Sequence, residues 1–288
     1  MRRSARAATM LTVSMMIGVA FLNALDAVIV RLLAGEVHAF VIGFFRALFG
    51  LLVLLPWIWR RVDLRASPYR LLHVVRAALK LASLIALFVA YQRASLPDAT
   101  AIFFMLPLFV MLGAWLFLDE RIGGAQVAAL ILALAGMVIV VRPGGEGFDP
   151  ALLFALAAAA LTASIQLMLK RMAEHDTSDR LVAWNLLAMT ALGFGLALIV
   201  WKTPTPCQLM LLCVQGALGA ANQTLVTKAM KLSDASFVGP LDFLRLPAVA
   251  LLAWVLFGEV AGAATWIGAG LICVSVILAT GAVRRRTA

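Results

Sequence analysis

GPLDFLRLPAVALLAWVLFGE, residues 239–259, is an apolar stretch with an aspartate and an arginine set three positions apart inside it, Asp242 and Arg245. A charge near the centre of a bilayer costs at least a few kcal/mol, so such residues mark function or pairing. An earlier stretch, DATAIFFMLPLFVMLGAWLFLDE at 98–120, likewise runs through a proline to a tryptophan and a closing glutamate, and its Asp-Ala start is matched by Asp234-Ala235 just ahead of the first stretch. Trp115 and Trp254, and Glu120 and Glu259, are each 139 residues apart. A fixed offset between marked residues is the signature of an internal repeat.

The same offset recurs elsewhere. Arg31 falls on Lys170, Phe45-Arg46 on Trp184-Asn185, Val75-Arg76 on Val214-Gln215, Ala82-Ser83 on Ala221-Asn222, and Gly123 on Gly262. Around Asp98 and Asp234 the offset falls to 136 and then recovers, as if one connector lost three residues and a later helix gained three. Of the 288 residues 64% are hydrophobic and 13% charged, with mean hydropathy +1.03. Soluble domains are nearer half apolar and a quarter charged, so the chain is expected to be an integral membrane protein. Its net charge of +10 then reads as arginine-rich loops on one side of a bilayer, and no nucleic-acid partner is expected. The three cysteines lack metal-ligand spacing. The apolar run after Arg2, Arg3 and Arg6 extends from Ala7 to Ile29, too long for a signal-peptide core, and reads as a retained first helix.

Ten stretches are long enough to cross a bilayer: 9–33, 37–59, 70–93, 98–118, 123–142, 149–169, 180–201, 207–229, 235–257 and 261–283. With the N-terminus inside, sixteen of the 24 lysines and arginines lie in cytoplasmic segments and three (Arg93, Arg142 and Lys202) outside. That bias puts both termini in the cytoplasm. Five helices in residues 1–146 correspond to five in 147–288; five is odd, so the second copy enters the membrane upside down. The expected fold is therefore all-α, with ten transmembrane helices as two inverted five-helix repeats in one membrane domain. Such repeats place a transport site at the midplane, between them.

FFRALFGLLVLLPWIWRR at 44–61, LPLFVMLGAWLFLDERI at 106–122 and PLDFLRLPAVALLAWVLFGE at 240–259 resemble the drug/metabolite transporter superfamily, EamA branch. The resemblance covers essentially the whole chain. It implies a ten-helix permease in a bacterial inner membrane, a secondary transporter that moves a small polar metabolite by alternating access. Amino acids and amino-acid-derived or anionic compounds of the S-adenosylmethionine or riboflavin class are the implied cargo. Lys80 departs from the pattern, since similar sequences usually carry a small or apolar residue there.

By residue count, Arg46, Lys80 and Arg245 lie close to the centres of their spans, with Asp26, Arg76 and Asp242 within about two turns. Four deep cations against two anions suit an anionic substrate group, which arginine binds bidentately. Lys80, Arg76, Arg46 and Arg245 are thus candidate substrate ligands, with Asn23, Asn185, Asn222 and Trp184 as hydrogen-bonding or lining partners. Asp26 and Asp242 are candidates to carry a coupling proton. Each charge has a purely structural alternative: Asp242 with Arg245 as a pair within one helix, Asp26 with Lys80 across two. Arg31 reads as an interfacial anchor, and Trp115 and Trp254 either line a cavity or pack. A membrane-embedded enzyme is the competing class. It lacks support because no HExxH, GxSxG or phosphate loop occurs and His38, His73 and His175 are scattered. No cofactor or metal is expected, and the state is monomer or homodimer.

Overall fold

The computed structural model describes residues 2–61, 63–64, 67, 69–117, 124–142, 149–172, 176–232 and 241–287. Among these the chain is helical and has no strand. In lipid a backbone N–H or C=O must be satisfied within its own segment, and long apolar runs achieve this as helices. They are α1 (Arg2–Leu32), α2 (Ala39–Arg61), α3 (Arg70–Arg93), α4 (Leu96–Phe103), α5 (Leu106–Phe117), α6 (Gly124–Val141), α7 (Leu152–Met172), α8 (Ser178–Ile199), α9 (Pro206–Leu232), α10 (Arg245–Phe257) and α11 (Ala263–Thr287). Among the described residues seven segments are long and apolar enough to cross a membrane, α4 and α5 together forming one of them, Leu96–Phe117. Val127–Val141 and Ala263–Leu278 are shorter apolar helices. Large apolar side chains such as Phe21, Ile131, Phe194 and Val255 are exposed on the outside of the bundle, as a lipid-facing surface requires. Trp115 and Trp254 belong to that outer face, 47% and 59% exposed.

Two spans are interrupted, each just before a proline. Pro107 has no N–H to give Phe103 O, and its ring crowds that carbonyl. The chain therefore leaves α4 through a turn in which Phe104 N bonds Ala101 O at 3.2 Å and Met105 N bonds Ile102 O at 3.0 Å, before α5 begins. Pro247 stands in the same relation to Phe243. There the chain makes a 3-10 turn, Asp242–Leu244, from which α10 starts. Caps sharpen the other ends: Ser95 Oγ accepts from Asp98 N at the start of α4, and Gly258, at φ 67°, closes α10 in the left-handed conformation that glycine adopts without strain.

Packing follows an exchange rule. Let α1, α2, α3, α4–α5 and α6 correspond to α7, α8, α9, the 3-10 turn with α10, and α11. Then α2 packs on its own counterpart α8, α4 on α10, and α6 on α11. The contact of α3 with α7 is mirrored by α9 with α1, that of α2 with α9 by α8 with α3, and that of α1 with α10 by α7 with α4 and α5. The core of alanine, valine, leucine and phenylalanine side chains thus lies mainly between the two copies.

Glycine sets the closest approach. A Cβ on Gly136 of α6 would stand 2.6 Å from Gly268 O of α11, and one on Gly268 would stand 2.6 Å from Gly136 O. Gly268→Ala should therefore destabilise by about 1–3 kcal/mol through overpacking. Gly270→Ala, whose Cβ would meet nothing within 4 Å, should be neutral or slightly stabilising. Melting temperatures in detergent check this; equal values for the two variants would contradict the close crossing.

Candidate functional site

The two interruptions face each other. The rings of Phe104, in the first break, and Phe243, in the second, are 4.4 Å apart between centroids. Arg245, buried at the first turn of α10, lies 5.4 Å over the ring of Phe103 and donates to the hydroxyl of Tyr91 on α3. Its Nε is buried with no partner among the described residues. The structural alternative for Arg245, a pair with Asp242, is not formed: no ion pair joins them among the described residues, and Asp242 is half-buried at the head of the 3-10 turn.

Next to this layer Arg46 on α2 forms an ion pair with Asp26 on α1 and lies 5.7 Å over the Phe88 ring. So Asp26 is held by Arg46, where the sequence suggested Lys80. A Cβ on Gly219 of α9 would come within 3.3 Å of the Arg46 guanidinium, so glycine makes room for it. Asn222 lies one turn further on, its Nδ2 donating to Asn23 Oδ1 at 3.2 Å. Gln215, Gly219 and Asn222 share a face of α9, at i, i+4 and i+7. Gln215 is fully buried, and neither its amide oxygen nor its nitrogen has a partner among the described residues; Asn222 Oδ1 is likewise unpartnered. Buried polar atoms are nearly always bonded, so these mark places where a ligand or water completes the shell. Lys80 is half-buried on α3. Its charged neighbours are Arg46, Arg76 and Arg245, all cations, and no carboxylate lies within 4 Å of it among the described residues.

Other expected site residues go elsewhere. Asn185 donates to Met189 Sδ at 3.1 Å within α8. Arg76 donates to Leu181 O at 2.5 Å. Trp184 donates to Leu64 O at 3.1 Å and stacks on His73, with centroids 5.4 Å apart. Both belong to a buried polar cluster at the end of the bundle where α3 and α8 begin, here called end A. At its centre Asp176 meets His73 Nε2 at 3.0 Å, Ser67 Oγ at 2.7 Å and Arg180 at 2.9 Å. Ser67, His73 and Asp176 look like a hydrolase triad, but Ser67 Oγ and Asp176 Oδ2 both face the same ring nitrogen, and Nδ1 has no partner among the described residues. A triad needs the acid and the nucleophile on opposite nitrogens. This cluster instead ties α3, in one copy, to α8, in the other.

The opposite end, end B, has its own tie. Arg31 pairs with Glu259 at 2.5 Å and donates to the carbonyls of Tyr91, Gln92 and Ala94. Glu259 also accepts from Leu96 N at 2.9 Å, satisfying the first turn of α4. Arg31 is therefore a link between the copies. Glu120, the counterpart of Glu259, is outside the described residues.

The EamA-like transporter family matches residues 10–142 and again 149–281, two copies starting 139 residues apart. The chain belongs to that family. It is similar to riboflavin transporters of Vibrio cholerae, 35% identical over 60% of this chain and 59% of that one, and of Rhizobium johnstonii, 32% identical over 78% and 75%. It is 28% identical to the S-adenosylmethionine uptake transporter of Rickettsia bellii over 84% of each chain. A solved crystal structure at 23% identity superposes with TM-score 0.62, covering 98% of this chain and 99% of that one, which shows a shared fold. The EamA-like chain is accordingly a multi-pass membrane transporter, not an enzyme.

Charge, depth and the repeat offset singled out Arg46, Lys80, Arg245, Asp26, Asn23 and Asn222. Sequence reasoning missed Tyr91, Phe88, Phe103 and the end ties. The signals available were Pro107 and Pro247, which sit at equivalent places in the two copies, as the discontinuous helices of transporters do.

End A carries a pH signature. Burial alone would raise the Asp176 carboxyl, but hydrogen bonds from Arg180, Ser67 and His73 outweigh it and hold the group below its ordinary value. A depressed carboxyl stabilises the fold fully above its unfolded pKa of ~3.9, and that contribution fades as pH falls through the folded value. Asp176→Asn should cost about 3 kcal/mol at pH 7, because it leaves a partly buried arginine unpaired. The gap in melting temperature from wild type should narrow below pH ~4. A gap that stays constant down to pH 3 would contradict this account.

Proposed function

We propose that this EamA-like transporter carries an anionic or carbonyl-rich metabolite built on a planar ring, and binds it where the two interrupted spans meet. Ten spanning helices form two inverted five-helix repeats, residues 1–146 and 147–288. End A, with both termini, faces the cytoplasm of a bacterial inner membrane, and end B faces the outside. The observation that carries the reading is Lys80: a cation midway along its span, among three arginines, with no carboxylate beside it among the described residues. A substrate carboxylate or ring carbonyl supplies the missing acceptor. Arg46 and Arg245 flank it, Phe88 and Phe103 offer ring faces already in contact with guanidinium groups, and Gln215, Asn222 and Asn23 offer hydrogen bonds. Riboflavin and S-adenosylmethionine, named for the relatives, both join a planar heterocycle to a hydroxylated sugar-derived group, and S-adenosylmethionine adds a carboxylate beside its ammonium and sulfonium cations. Arg76, Trp184 and Asn185, engaged elsewhere, act through helix packing.

The Asp26–Arg46 pair gives a route for coupling. A substrate anion that takes Arg46 leaves Asp26 without its counter-charge in a low-dielectric setting, and the carboxylate then takes a proton. Substrate and proton travel together, and the ties at ends A and B open in turn. Asp242, half-buried and unpaired among the described residues, is a second proton acceptor on the same layer.

Purified protein in liposomes, loaded against a pH gradient and offered radiolabelled S-adenosylmethionine or riboflavin, tests the reading. Lys80→Met should keep the melting temperature and weaken binding by about one to two orders of magnitude, the worth of a charge-assisted hydrogen bond of about 1.5–3 kcal/mol. Unchanged affinity with a large loss of stability would make Lys80 structural. Asp26→Asn should lose gradient-driven uptake and retain substrate exchange. Undiminished driven uptake would remove Asp26 from the proton path.

A further inference from the structure

A polar cavity lies apart from the central layer. It has a volume of ≈ 230 Å³ and opens at end B, where α4 begins, α6 ends, α7 begins and the α10–α11 connection passes. Ser95, Asp98, Arg142, Asp149, Val260 and Thr265 contribute to its wall. Asp98 Oδ1 accepts from Thr265, and Asp149 Oδ1 accepts from Ala151 N at 2.8 Å, so each carboxylate keeps one oxygen outside these bonds. Arg142 is exposed in the cavity wall, its guanidinium over Gly262, and makes no ion pair or hydrogen bond through its side chain among the described residues. Its backbone is at φ 48°, which a side-chain-bearing residue rarely adopts.

The wall therefore offers one free guanidinium and two carboxylates, a net charge of −1. A guanidinium takes a carboxylate bidentately, and each aspartate takes a cation. Only a ligand with one anionic and two cationic centres matches all three. The volume is below the roughly 300–1,000 Å³ of drug-sized sites, so the cavity holds an amino-acid-sized group and not a whole dinucleotide or flavin.

We propose that this cavity is a capture subsite for an α-amino acid that carries a second cationic centre, the class of S-adenosylmethionine and the basic amino acids. The inference deepens the transport reading and rests on it. The subsite adjoins the end-B tie: Arg31 donates to Ala94 O, Glu259 accepts from Leu96 N, and Ser95 between them and Val260 after Glu259 both line the cavity. A captured ligand sits against the residues that must part for it to reach the central layer. There the carboxylate released by Arg142 meets Lys80 and Arg46. Riboflavin, without ammonium or carboxylate, has no use for this subsite.

The test is calorimetric titration of the full-length protein in detergent, with S-adenosylmethionine and L-lysine as probes and riboflavin as the neutral comparison. Asp98→Asn and Asp149→Asn keep the oxygens that Thr265 and Ala151 N bond to, so the fold is retained while the charge is lost. Arg142→Gln and the paired Asn variant should each weaken L-lysine binding at least ~10-fold, and Arg142→Lys, which loses the fork but not the charge, by less. Gly270→Ala on α11, whose added Cβ meets nothing within 4 Å and which is in neither site, should leave L-lysine binding within about twofold. If wild type binds neither probe, or the charge variants bind as tightly as wild type, the proposal is overturned. Binding that the variants lose, with no uptake by wild type, would keep the subsite and contradict the transport reading.

Discussion

A proline in the middle of a lipid-bounded span removes a backbone hydrogen bond where no water can replace it, and the surrounding protein has to absorb the consequence. Pro107 and Pro247 impose that condition once in each copy of the repeat. The structure meets it by setting the two irregular turns against each other, with Phe104 on Phe243 and Arg245 over Phe103. Irregular backbone is thereby kept inside protein and out of lipid. The same two spans supply the residues of the end-B tie, Leu96 at the head of one and Glu259 just beyond the tail of the other. Centre and edge are thus mechanically continuous along single chain segments.

Charge is arranged around that centre with deliberate asymmetry. Each tie at an end of the bundle is closed by the protein's own groups: Asp176 by three donors, Glu259 by Arg31 and a backbone N–H. The central layer is not closed in this way. Asp26 answers Arg46, Tyr91 answers part of Arg245, and Lys80 has no acceptor among the described residues. Cations inside a membrane span are costly and mark substrate or ion pathways. An excess of positive charge at the middle and satisfied ties at both ends fits the proposed reading, in which the cargo supplies the missing acceptor.

The repeat and most spans were legible in the sequence, because hydropathy runs and matched residues at offset 139 are properties of the chain alone. Depth was legible too, since a helix rises by a fixed step, and it picked out Arg46, Lys80 and Arg245. Partners were not. Asp242 and Arg245 have the spacing of a helical pair, yet Arg245 turns to Tyr91, a residue 154 positions away. Arg76 and Lys80 share a face of α3, but a long side chain can reach along the axis either way, and Arg76 reaches Leu181. Trp184 falls on Phe45 by the repeat offset and suggested a cavity wall. The turn that carries Leu64 supplies its partner instead, and no local pattern announces that contact. The domain boundary near 146 falls in residues 143–148, outside those described.

The central claim is that the meeting point of the two broken spans is where the cargo binds. The most direct measurement is an experimental structure of the protein saturated with the metabolite it is shown to transport. The account predicts ligand density between Lys80, Arg46 and Arg245, with its planar ring against Phe88 or Phe103 and the Asp26–Arg46 pair opened. Ligand density elsewhere, with that pair intact and Lys80 still without an acceptor, would contradict it.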